Sequence, residues 1–539
     1  MHRTVYEIFQ ASVAAAPDNA FLCVPAGRDY APEGLELTYA QVARQVEEIA
    51  GAYRAAGYGA GHRVALLLEN RPDHFIHFLA LNALGISQVP VNPDFRPEEL
   101  RYLLDHSGAD LIVCRESRVD LGREASAIAK DRPPVVIAES WPSRLPDART
   151  ACKHADEGTR AEAALLYTSG TTARPKACIL TNEHFMLFAQ WYIDFGLEPE
   201  SCFKLKPGEE RLLNPLPVYH VAAGCLCPMT MLMTRGCLIM PGRFSAQRWW
   251  QEVISTRATI VHYIGLVPAA LLNQPVVPEE RMHHVKWGLG AGIEPSLHAE
   301  FEKRFGFPNI EVWGMTEIGR FTADDREPRK IGQRAIGKPM RDFEMKIVGE
   351  MDEEVPAGMP GQLLVRSAGT NPRRGFFAGY LNDPEATEEA WRGGWFHTGD
   401  VVRKGDDGMV YFVDRKKNII RRSGENIAAG EVEAVLQADA GVAYAAAIAA
   451  PDETRQEEVF ACIVVQPGVV ADAALARRLF DLCLDKLAYY KAPGWILFLE
   501  SLPLTQTQKV QKGKIFPAGH DPRSSPGVFD FRQLKRHKR

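Results

Sequence analysis

The first 150 residues of the chain alternate between two patterns of apolar positions. Apolar residues at helical spacing cover residues 39–58 and 72–84, and a further helix is predicted from Pro97. Short apolar runs between these helices predict buried strands at 63–68, 87–91 and 111–114. Strands that alternate with helices at this spacing are joined by right-handed crossovers. The pattern therefore predicts a largely parallel sheet covered by helices.

The alternation returns between Ala163 and Pro339, and the pattern then changes twice along the chain. In this second block, strands are predicted at 236–240, 259–264 and 285–289, and helices at 246–256 and 268–272. Between Met345 and Val413 the strands are short and turns are frequent, which predicts a β-rich subdomain. After Arg415, helices at 431–437 and 473–487 and strands at 443–450 and 459–466 predict a small, separable α+β domain.

Composition excludes several classes of protein. The chain has 539 residues, of which 46% are hydrophobic and 24% charged, so it is neither disordered nor fibrous. A net charge of −5 gives no overall attraction to nucleic acid or to an anionic membrane surface. The local exception is the basic end of the chain, FRQLKRHKR, so residues 519–539 are predicted to be a flexible basic tail.

Cysteine usage and hydropathy predict a cytoplasmic protein. The ten cysteines include no CxxC pair, so we expect mostly buried, reduced thiols. The N-terminal stretch contains Glu7 within its apolar residues, which indicates an amphipathic helix rather than a signal peptide. The most apolar longer stretch, 221–240, is interrupted by Pro228 and Arg235, so no transmembrane segment is predicted.

The strongest chemical signal is the sequence LYTSGTTARPK at residues 166–176. Hydroxyl side chains surround Gly170, and Lys176 follows Pro175. Backbone N–H groups, hydroxyls and a cation in one short loop can surround phosphate oxygens. The spacing differs from that of P-loop NTPases, so their mechanism does not transfer. The alternative interpretation is an ordinary turn rich in Ser and Thr.

Four weaker signals follow along the chain. Thr316 and Glu317 place a hydroxyl beside a carboxylate, a pair suited to Mg²⁺ shared with phosphate. Asp400, in GWFHTGD, could accept the two hydroxyls of a ribose. Residues 414–426 form a basic segment containing Gly, and Lys509 lies in a polar loop near the C-terminus. Each has an ordinary alternative, namely a solvated carboxylate, a turn residue or a solvated charged face.

Together, in this order, the five segments resemble the adenylate-forming superfamily of acyl-CoA synthetases, peptide-synthetase adenylation domains and beetle luciferases. The resemblance covers roughly residues 5–515. Within the superfamily, the strings TTARPK and YFVDRKKNIIRRSGENI look most like the crotonobetaine/carnitine–CoA ligase branch.

The resemblance implies a role for each matched residue. The ATP phosphates would be held by Thr168, Ser169, Gly170, Thr171, Thr172 and Lys176. The adenine would lie among Gly290, Ala291, Gly292, Trp313 and Gly314, and the ribose would contact Asp400 and Arg415. Thr316 would touch phosphate and Glu317 would bind Mg²⁺, while the catalytic set would be Lys509, Thr172 and Glu317.

The resemblance also implies an acyl pocket, a hinge and a tunnel for coenzyme A (CoA). The pocket candidates are Tyr219, His220, Ala222, Gly224, Met315 and Ile318, although a lone histidine such as His220 is more often structural. Lys417 falls at the hinge position, and the CoA tunnel would contain Arg421, Ser423 and Gly424.

The chain departs from the family pattern at two loops. Ala173 and Ala177 stand where the family has Gly, so a positive φ at either position would be strained. Gln508 precedes Lys509 in place of Gly, and Lys512 and Lys514 lie close by. We favour Lys509 as the catalytic lysine because the segment 503–505 sets its register.

The resemblance implies a large N-terminal domain (1–416) of packed α/β subdomains with a β-rich subdomain. A small mobile α+β domain (417–518) and the basic tail (519–539) would follow. The expected reaction is ATP-dependent ligation of a small carboxylic acid to CoA through an acyl-adenylate, with Mg²⁺ as cofactor. A homodimer is expected by analogy, and the acid is left open. The alternatives are an adenylating enzyme that loads a carrier protein and a nucleotide-binding relic without activity.

Overall fold

The computed structural model describes residues 4–152, 156–168, 175–340, 342–422, 425–453, 455–504 and 510–535. Contacts group the chain into two compact units. The larger unit contains residues 1–344 and 366–395, and the smaller unit contains residues 345–365 and 396–539. The domain boundaries predicted after residues 416 and 518 stay predictions.

The first sheet of the larger unit is parallel in its interior, as the sequence predicts for the first 150 residues. The antiparallel hairpin that carries the predicted phosphate loop extends it at one edge. Its described strands run in the order Gly379–Tyr380, Lys176–Thr181, Glu162–Thr168, Ser87–Pro90, Arg63–Leu67, Leu111–Cys114, Val135–Ile137.

The second sheet of the larger unit is also parallel in its interior, with an antiparallel strand at each edge. Its described strands run in the order Phe321–Ala323, Asn309–Gly314, Trp287–Ala291, Ile260–Ile264, Arg211–Leu213, Cys237–Ile239, Ala20–Val24, Leu35–Thr38. The edge strand Leu35–Thr38 and the short strand Phe321–Ala323 carry no strong local pattern and are not predicted from the sequence. A further short strand of this unit is Ala335–Gly337.

Helices cover both sheets of the larger unit. Their described bounds are Val5–Ala15, Tyr39–Ala55, Pro72–Asn82, Pro97–Ser107, Val119–Ile128, Asn182–Leu197, Cys227–Thr234, Trp249–Ser255, Leu266–Leu272, Pro295–Phe305 and Pro384–Ala390. The helix Tyr39–Ala55 shows why prediction succeeds here. Thr38 and Gln41 form a reciprocal capping box, and the apolar stripe that begins at Tyr39 is buried.

The smaller unit contains two further sheets. One has its strands in the order Val410–Arg415, Phe396–Lys404, Gly361–Ser367, Phe343–Val348 and confirms the predicted β-rich region. The other runs Glu425–Ala428, Ile419–Arg422, Gln456–Val465, Trp495–Phe498, Phe529–Asp530, with Val442–Asp452 paired to Gln456–Val465. The helices Ala429–Gln437 and Ala473–Lys486 pack on the second sheet around a common apolar core, as the predicted α+β arrangement requires.

The structure describes the predicted basic tail, residues 519–539, as far as Lys535, and the flexibility of this tail stays a prediction. The strand Phe529–Asp530 pairs antiparallel with Trp495–Ile496. The Phe531 ring stacks on Phe480 with ring centroids 4.8 Å apart. The prediction rested on the basic residues of this segment and did not consider Phe529 and Phe531, which flank Asp530. The rings of these two phenylalanines pack on Phe498 and Phe480.

The structure also bears on the predictions about the cysteines and about membrane-spanning segments. Most cysteines are buried and all ten are free, as expected, with Cys152 exposed and Cys202 half-buried. Within the residues that the structure describes, the helices fall short of the length and apolarity that a membrane span needs.

Candidate active site

The carboxyl ends of three adjacent parallel strands bring several predicted residues to one edge of the second sheet. Ile264 pairs with Ala291, and Gly290 pairs with Glu311 on the strand that ends at Gly314. Ligands of open α/β sheets bind at this edge because the loops that leave the strands there can surround them. The residues proposed for adenine, namely Gly290, Ala291, Gly292, Trp313 and Gly314, all lie there.

The buried carboxylate of Glu311 holds the loop 290–292, and sequence reasoning missed it. The carboxylate accepts hydrogen bonds from the N–H groups of Gly292 (3.3 Å) and Ile293 (2.9 Å) and from the Tyr263 hydroxyl (3.0 Å). Burial raises the pKa of Glu311 above its ordinary value. Gly292 has φ +82°, a conformation that favours glycine. A β-carbon on Gly265 would collide with the carbonyl oxygen of Gly292, so the close approach of these two segments also requires glycine at position 265.

Glu317 lies beside a tyrosine that the sequence analysis did not identify. The Tyr380 hydroxyl donates a hydrogen bond of 2.9 Å to Glu317 Oε1, and Glu317 is buried. Burial, together with the nearby Glu317 charge, raises the pKa of Tyr380, so this hydroxyl stays protonated. The backbone fixes the contact, because Phe377 N–H donates to the Glu317 carbonyl oxygen at 2.9 Å.

The same tyrosine links Glu317 to the predicted phosphate loop. Lys176 Nζ lies 4.9 Å from the Tyr380 ring centroid and 3.5 Å from Asp383 Oδ2. Thr168 pairs with Lys176 across the hairpin, and its hydroxyl donates to the Lys176 carbonyl oxygen at 3.5 Å. Lys176 and Glu317 therefore both lie beside Tyr380, and Thr168 contacts Lys176. The loop residues Ser169, Gly170, Thr171 and Thr172, and also Ala173, lie outside the described residues.

The strain considered for Ala177 does not occur. Ala177 is a buried residue of the strand Lys176–Thr181, paired with Tyr167, and it is not among the residues with positive φ. The extended backbone of a strand accommodates alanine without cost.

The predicted acyl-pocket residues lie in two segments of the larger unit. Tyr219 and His220 are half-buried in a turn that leads into the π-helix Ala222–Leu226, an irregularity that often marks functional sites. The Ala222 N–H donates to His220 Nδ1 at 3.3 Å. Gly224 is buried, and a β-carbon there would collide with the Val218 carbonyl oxygen. Ala222, Met315 and Thr316 are half-buried, whereas Ile318 is fully buried and pairs with Phe376.

A second residue missed from the sequence holds this turn. Asn70 follows the strand Arg63–Leu67 of the first sheet, and its side-chain amide donates to the Leu216 carbonyl oxygen at 2.7 Å. Its side-chain oxygen accepts from the Val218 N–H at 2.9 Å. The Asn70 carboxamide thus uses both its N–H donor and its oxygen acceptor to connect the turn before Tyr219 to the first sheet.

The predicted ribose residues lie together in the smaller unit. Asp400 pairs with Arg415 across adjacent antiparallel strands, and Arg415 Nε lies 2.7 Å from Asp400 Oδ1. Asp400 is 1% exposed, and its own N–H donates to the Thr398 hydroxyl at 3.1 Å. The carboxylate is thus held rigidly by its neighbours on the sheet.

The predicted hinge and CoA residues are also in the smaller unit. Lys417 lies in the 3₁₀ turn Lys416–Asn418, and Arg421 lies in the strand Ile419–Arg422; their side chains, and residues Ser423 and Gly424, lie outside what is described. Asp414 ties both sides of this turn, because its carboxylate accepts from Asn418 Nδ2 (3.1 Å) and from the Gly430 N–H (2.8 Å).

The structure describes one of the two candidates for the catalytic lysine. Lys509 lies outside the described residues. Lys512, the neighbouring candidate, pairs with Glu433 at 2.7 Å, and both side chains are largely buried. Lys512 is thereby engaged within the smaller unit, and the choice of Lys509 as the catalytic lysine stays a prediction.

The oxygen ligands near Glu317 fit Mg²⁺. In the described ranges, His, Cys, Asp and Glu side chains form no group of three that would bind a metal through protein ligands alone. Mg²⁺ instead commonly binds one or two carboxylates together with substrate phosphates. Glu317, next to Thr316 and near Lys176, provides one such carboxylate.

Comparisons with known proteins agree with this geometry. Residues 9–381 match the AMP-binding enzyme family, and residues 431–509 match the AMP-binding enzyme C-terminal domain. The chain is 30% identical to a sulfoacetate–CoA ligase from Cupriavidus necator, over 95% of this chain and 97% of that protein. It is 29% identical to a crotonobetaine/carnitine–CoA ligase from Citrobacter koseri, over 88% of this chain and 92% of that protein.

Solved structures share the fold. ATP-bound MatB from Rhodopseudomonas palustris superposes with a TM-score of 0.78 at 23% identity, covering 94% of this chain and 97% of that chain. The o-succinylbenzoate CoA synthetase from Bacillus subtilis, in complex with its acyl-adenylate intermediate, has a TM-score of 0.80 at 22% identity, covering 96% and 99%. The superfamily and fold expected from the motifs are confirmed, and the chain belongs to the AMP-binding enzymes, the adenylate-forming family that includes acid–CoA ligases.

Proposed function

We propose that the protein is an AMP-forming carboxylate–CoA ligase. The observation that carries the proposal is that Lys176 and Glu317 both contact Tyr380 in the larger unit, while Thr168 contacts Lys176. A hydroxyl, a cation and a buried carboxylate in one place suit a nucleotide phosphate with its metal ion. The ribose pair Asp400 and Arg415 supports the same function.

The reaction has two steps. A carboxylate oxygen of the acid attacks the α-phosphorus of ATP, the bond to the β-phosphate oxygen breaks, and pyrophosphate leaves. The CoA sulfur then attacks the acyl carbon, the bond to the AMP oxygen breaks, and the thiol proton passes to solvent. The first step converts a poor electrophile into a mixed anhydride with a good leaving group.

Each site residue has a role in these steps. Lys176 and Thr168 would bind phosphate oxygens, and Asp400 would accept the ribose hydroxyls. Glu317, oriented by Tyr380, would hold Mg²⁺, which neutralises phosphate charge when bound. Lys509 would stabilise the charge that develops as the carboxylate meets the α-phosphate. Arg421, Ser423 and Gly424 would line the path of the CoA thiol.

Two other functions remain as alternatives. An enzyme that loads an amino acid onto a carrier protein would usually place an aspartate in the acyl pocket to pair with the amino group. Here the corresponding stretch, residues 219–222, reads Tyr-His-Val-Ala, which favours an acid without an amino group. A relic without activity would have no reason to keep the arrangement of Glu317, Tyr380 and Lys176.

The acid is to be identified by experiment. Acid-dependent exchange of pyrophosphate into ATP, measured with a panel of small acids, reports the first step alone. The panel contains sulfoacetate, crotonobetaine, and medium-chain, branched and aromatic acids. We expect at least one acid to support exchange, and CoA then to release AMP and thioester in equal amounts.

Two outcomes would contradict the proposal. Absence of exchange with every acid would favour the relic. Exchange without CoA-dependent AMP release, but with transfer to a carrier-protein thiol, would favour the carrier-loading enzyme.

A further inference from the structure

The C-terminal strap, which we define as residues 522–535, lies beyond the stretch matched by the family's C-terminal domain. It adds the strand Phe529–Asp530 to the sheet of the smaller unit. The Phe531 N–H donates to the Gly494 carbonyl oxygen at 2.8 Å, and the Arg532 guanidinium lies 4.5 Å from the Trp495 ring centroid. These contacts fix the direction in which the strap continues to Lys535.

Lys535 ends in a buried charge cluster. Its side chain is 0% exposed, and Nζ lies 2.6 Å from Oε1 of Glu458, which is also 0% exposed. Lys535 Nζ also donates to the Tyr490 carbonyl oxygen at 3.0 Å. The Val459 N–H donates to the same Glu458 oxygen, Oε1, at 2.8 Å. A lysine buried this completely needs such partners, because an unpaired buried charge is strongly unfavourable.

The other oxygen of Glu458 holds Arg422, which lies between Arg421 and Ser423, two of the residues predicted to contact CoA. Arg422 Nε lies 2.7 Å from Glu458 Oε2, with the Arg422 side chain 5% exposed, and Arg455 Nη1 lies 3.3 Å from the same oxygen. Arg422 pairs with Gln456 on the strand that carries Glu458 and with Glu425 across the hairpin. Ser423 and Gly424 are the two residues between these hairpin partners.

We propose that Lys535 is a positioning residue for thioester formation, because it fixes Glu458 and, through Glu458, Arg422, which lies between the predicted CoA-binding residues Arg421 and Ser423. Glu458 binds Lys535 with one oxygen and Arg422 with the other. If Lys535 loses its charge, Oε1 retains the Val459 N–H but loses its cation, so the carboxylate is held less firmly in the orientation that binds Arg422. This inference rests on the proposed function, since the residues predicted to contact CoA belong to that function.

The test separates the two half-reactions. We compare Lys535→Met, which keeps the length of the side chain without its charge, with Lys535→Arg, which restores a cation. The matched control is Lys486→Met, at a lysine whose side chain is 62% exposed on a helix of the same unit. Burial lowers the pKa of Lys535 to about 8, which is still above the assay pH of 7. Lys535 is therefore mostly charged in these assays.

Lys535→Met should lower kcat/KM for CoA in the thioester step about tenfold, the scale of losing one charge-assisted hydrogen bond. Pyrophosphate exchange should stay unchanged, Lys535→Arg should recover part of the loss, and Lys486→Met should match the wild type. An unchanged thioester step in Lys535→Met, or an equal loss in both half-reactions, would overturn the proposal.

A measurement on the wild-type protein remains informative if Lys535→Met fails to fold or if every acid fails in the exchange assay. Native-state hydrogen exchange in urea reports which segments open together. The amides of strand Ile419–Arg422 and of strap residues 529–531 should lose protection in one transition. Opening of the strap at lower urea, with the strand still protected, would show that Lys535 does not hold Arg422, whatever reaction the protein catalyses.

Discussion

At the scale of single residues, the clearest prediction concerns the carboxylate of Glu317. Glu317→Gln keeps the size of the side chain but removes the charge that would hold Mg²⁺. Adenylation should fall about 10²-fold, the scale of losing one preorganised electrostatic contact. Initial rates of pyrophosphate exchange across a Mg²⁺ titration measure the effect. Tyr380→Phe removes only the 2.9 Å hydrogen bond and should cost less than about tenfold. Wild-type activity of Glu317→Gln at saturating Mg²⁺ would show that Glu317 is not the metal ligand.

His220 gives a second prediction at this scale. Its Nδ1 accepts from the Ala222 N–H, so the neutral ring carries its proton on Nε2. His220→Ala should change KM for the acid, or the acid preferred, more than KM for ATP, because the residue lies away from the nucleotide motifs. The comparison is His220→Asn, whose side-chain oxygen can still accept from the backbone. A selective loss of ATP affinity with an unchanged acid profile would refute the pocket assignment.

At the scale of secondary-structure elements, Asn70 joins the two sheets of the larger unit through the turn that precedes Tyr219. Asn70→Ala removes both hydrogen bonds to this turn, whereas Asn70→Asp can keep the one from the Val218 N–H but not the one to the Leu216 carbonyl oxygen. Each bond contributes about 1 kcal/mol. We expect KM for the acid to rise several-fold in Asn70→Ala and less in Asn70→Asp, with KM for ATP unchanged. Equal increases in both KM values would mean that the turn serves the whole site.

The elements also show where local sequence suffices. The helix Tyr39–Ala55 begins where Thr38 and Gln41 form a capping box, and its apolar stripe has the helical period, so its position follows from nearby residues alone. The strand Phe529–Asp530 is the opposite case. Two residues among basic neighbours carry no periodicity, and only pairing with Trp495–Ile496 makes them a strand.

At the scale of the whole molecule, the two half-reactions should depend on different lysines. Lys509→Ala should slow adenylation about 10²–10³-fold and leave thioester formation from supplied acyl-adenylate largely intact. Lys417→Pro should do the reverse, because a fixed φ in the predicted hinge hinders the movement that the second step needs. Pre-steady-state assays with ATP plus acid, and with synthetic acyl-adenylate plus CoA, separate the two.

The control for Lys509→Ala is a substitution of the nearby Lys512. Lys512→Ala removes the partner of Glu433 and should affect stability more than adenylation. An adenylation defect in Lys512→Ala, with a mild effect in Lys509→Ala, would reverse the lysine assignment. Wild-type thioester release by Lys417→Pro would place the hinge elsewhere.

A further whole-molecule property is sensitivity to acid. Burial lowers the pKa of His74, His77 and His262 to about 3, whereas these histidines titrate near 6.5 in the unfolded chain. Below about pH 6.5 the unfolded chain therefore binds more protons than the folded protein, so the free energy of unfolding falls as pH falls towards 3.

Urea unfolding between pH 7 and pH 5.5, where carboxylates with ordinary pKa values near 4 stay largely ionised, measures this fall. Each such histidine contributes at most about 1.4 kcal/mol per pH unit. His74→Phe removes one titrating group and should reduce the slope by up to that amount. An unfolding free energy that is independent of pH over this range would show that these histidines bind protons as readily in the folded protein as in the unfolded chain.

By itself, the sequence determined most of the helices and strands, the adenylate-forming fold and the candidate residues of the nucleotide site. Periodicity, helix caps and short motifs are local properties, so they can be recognised in the sequence without knowledge of distant contacts. Only the tertiary structure decided which side chains hold those residues in place. Tyr380 lies 63 positions from Glu317, Asn70 lies 148 positions from Val218, and Lys535 lies 77 positions from Glu458. Such pairs form because folding buries polar groups that must find partners, and no local pattern specifies which partner that will be.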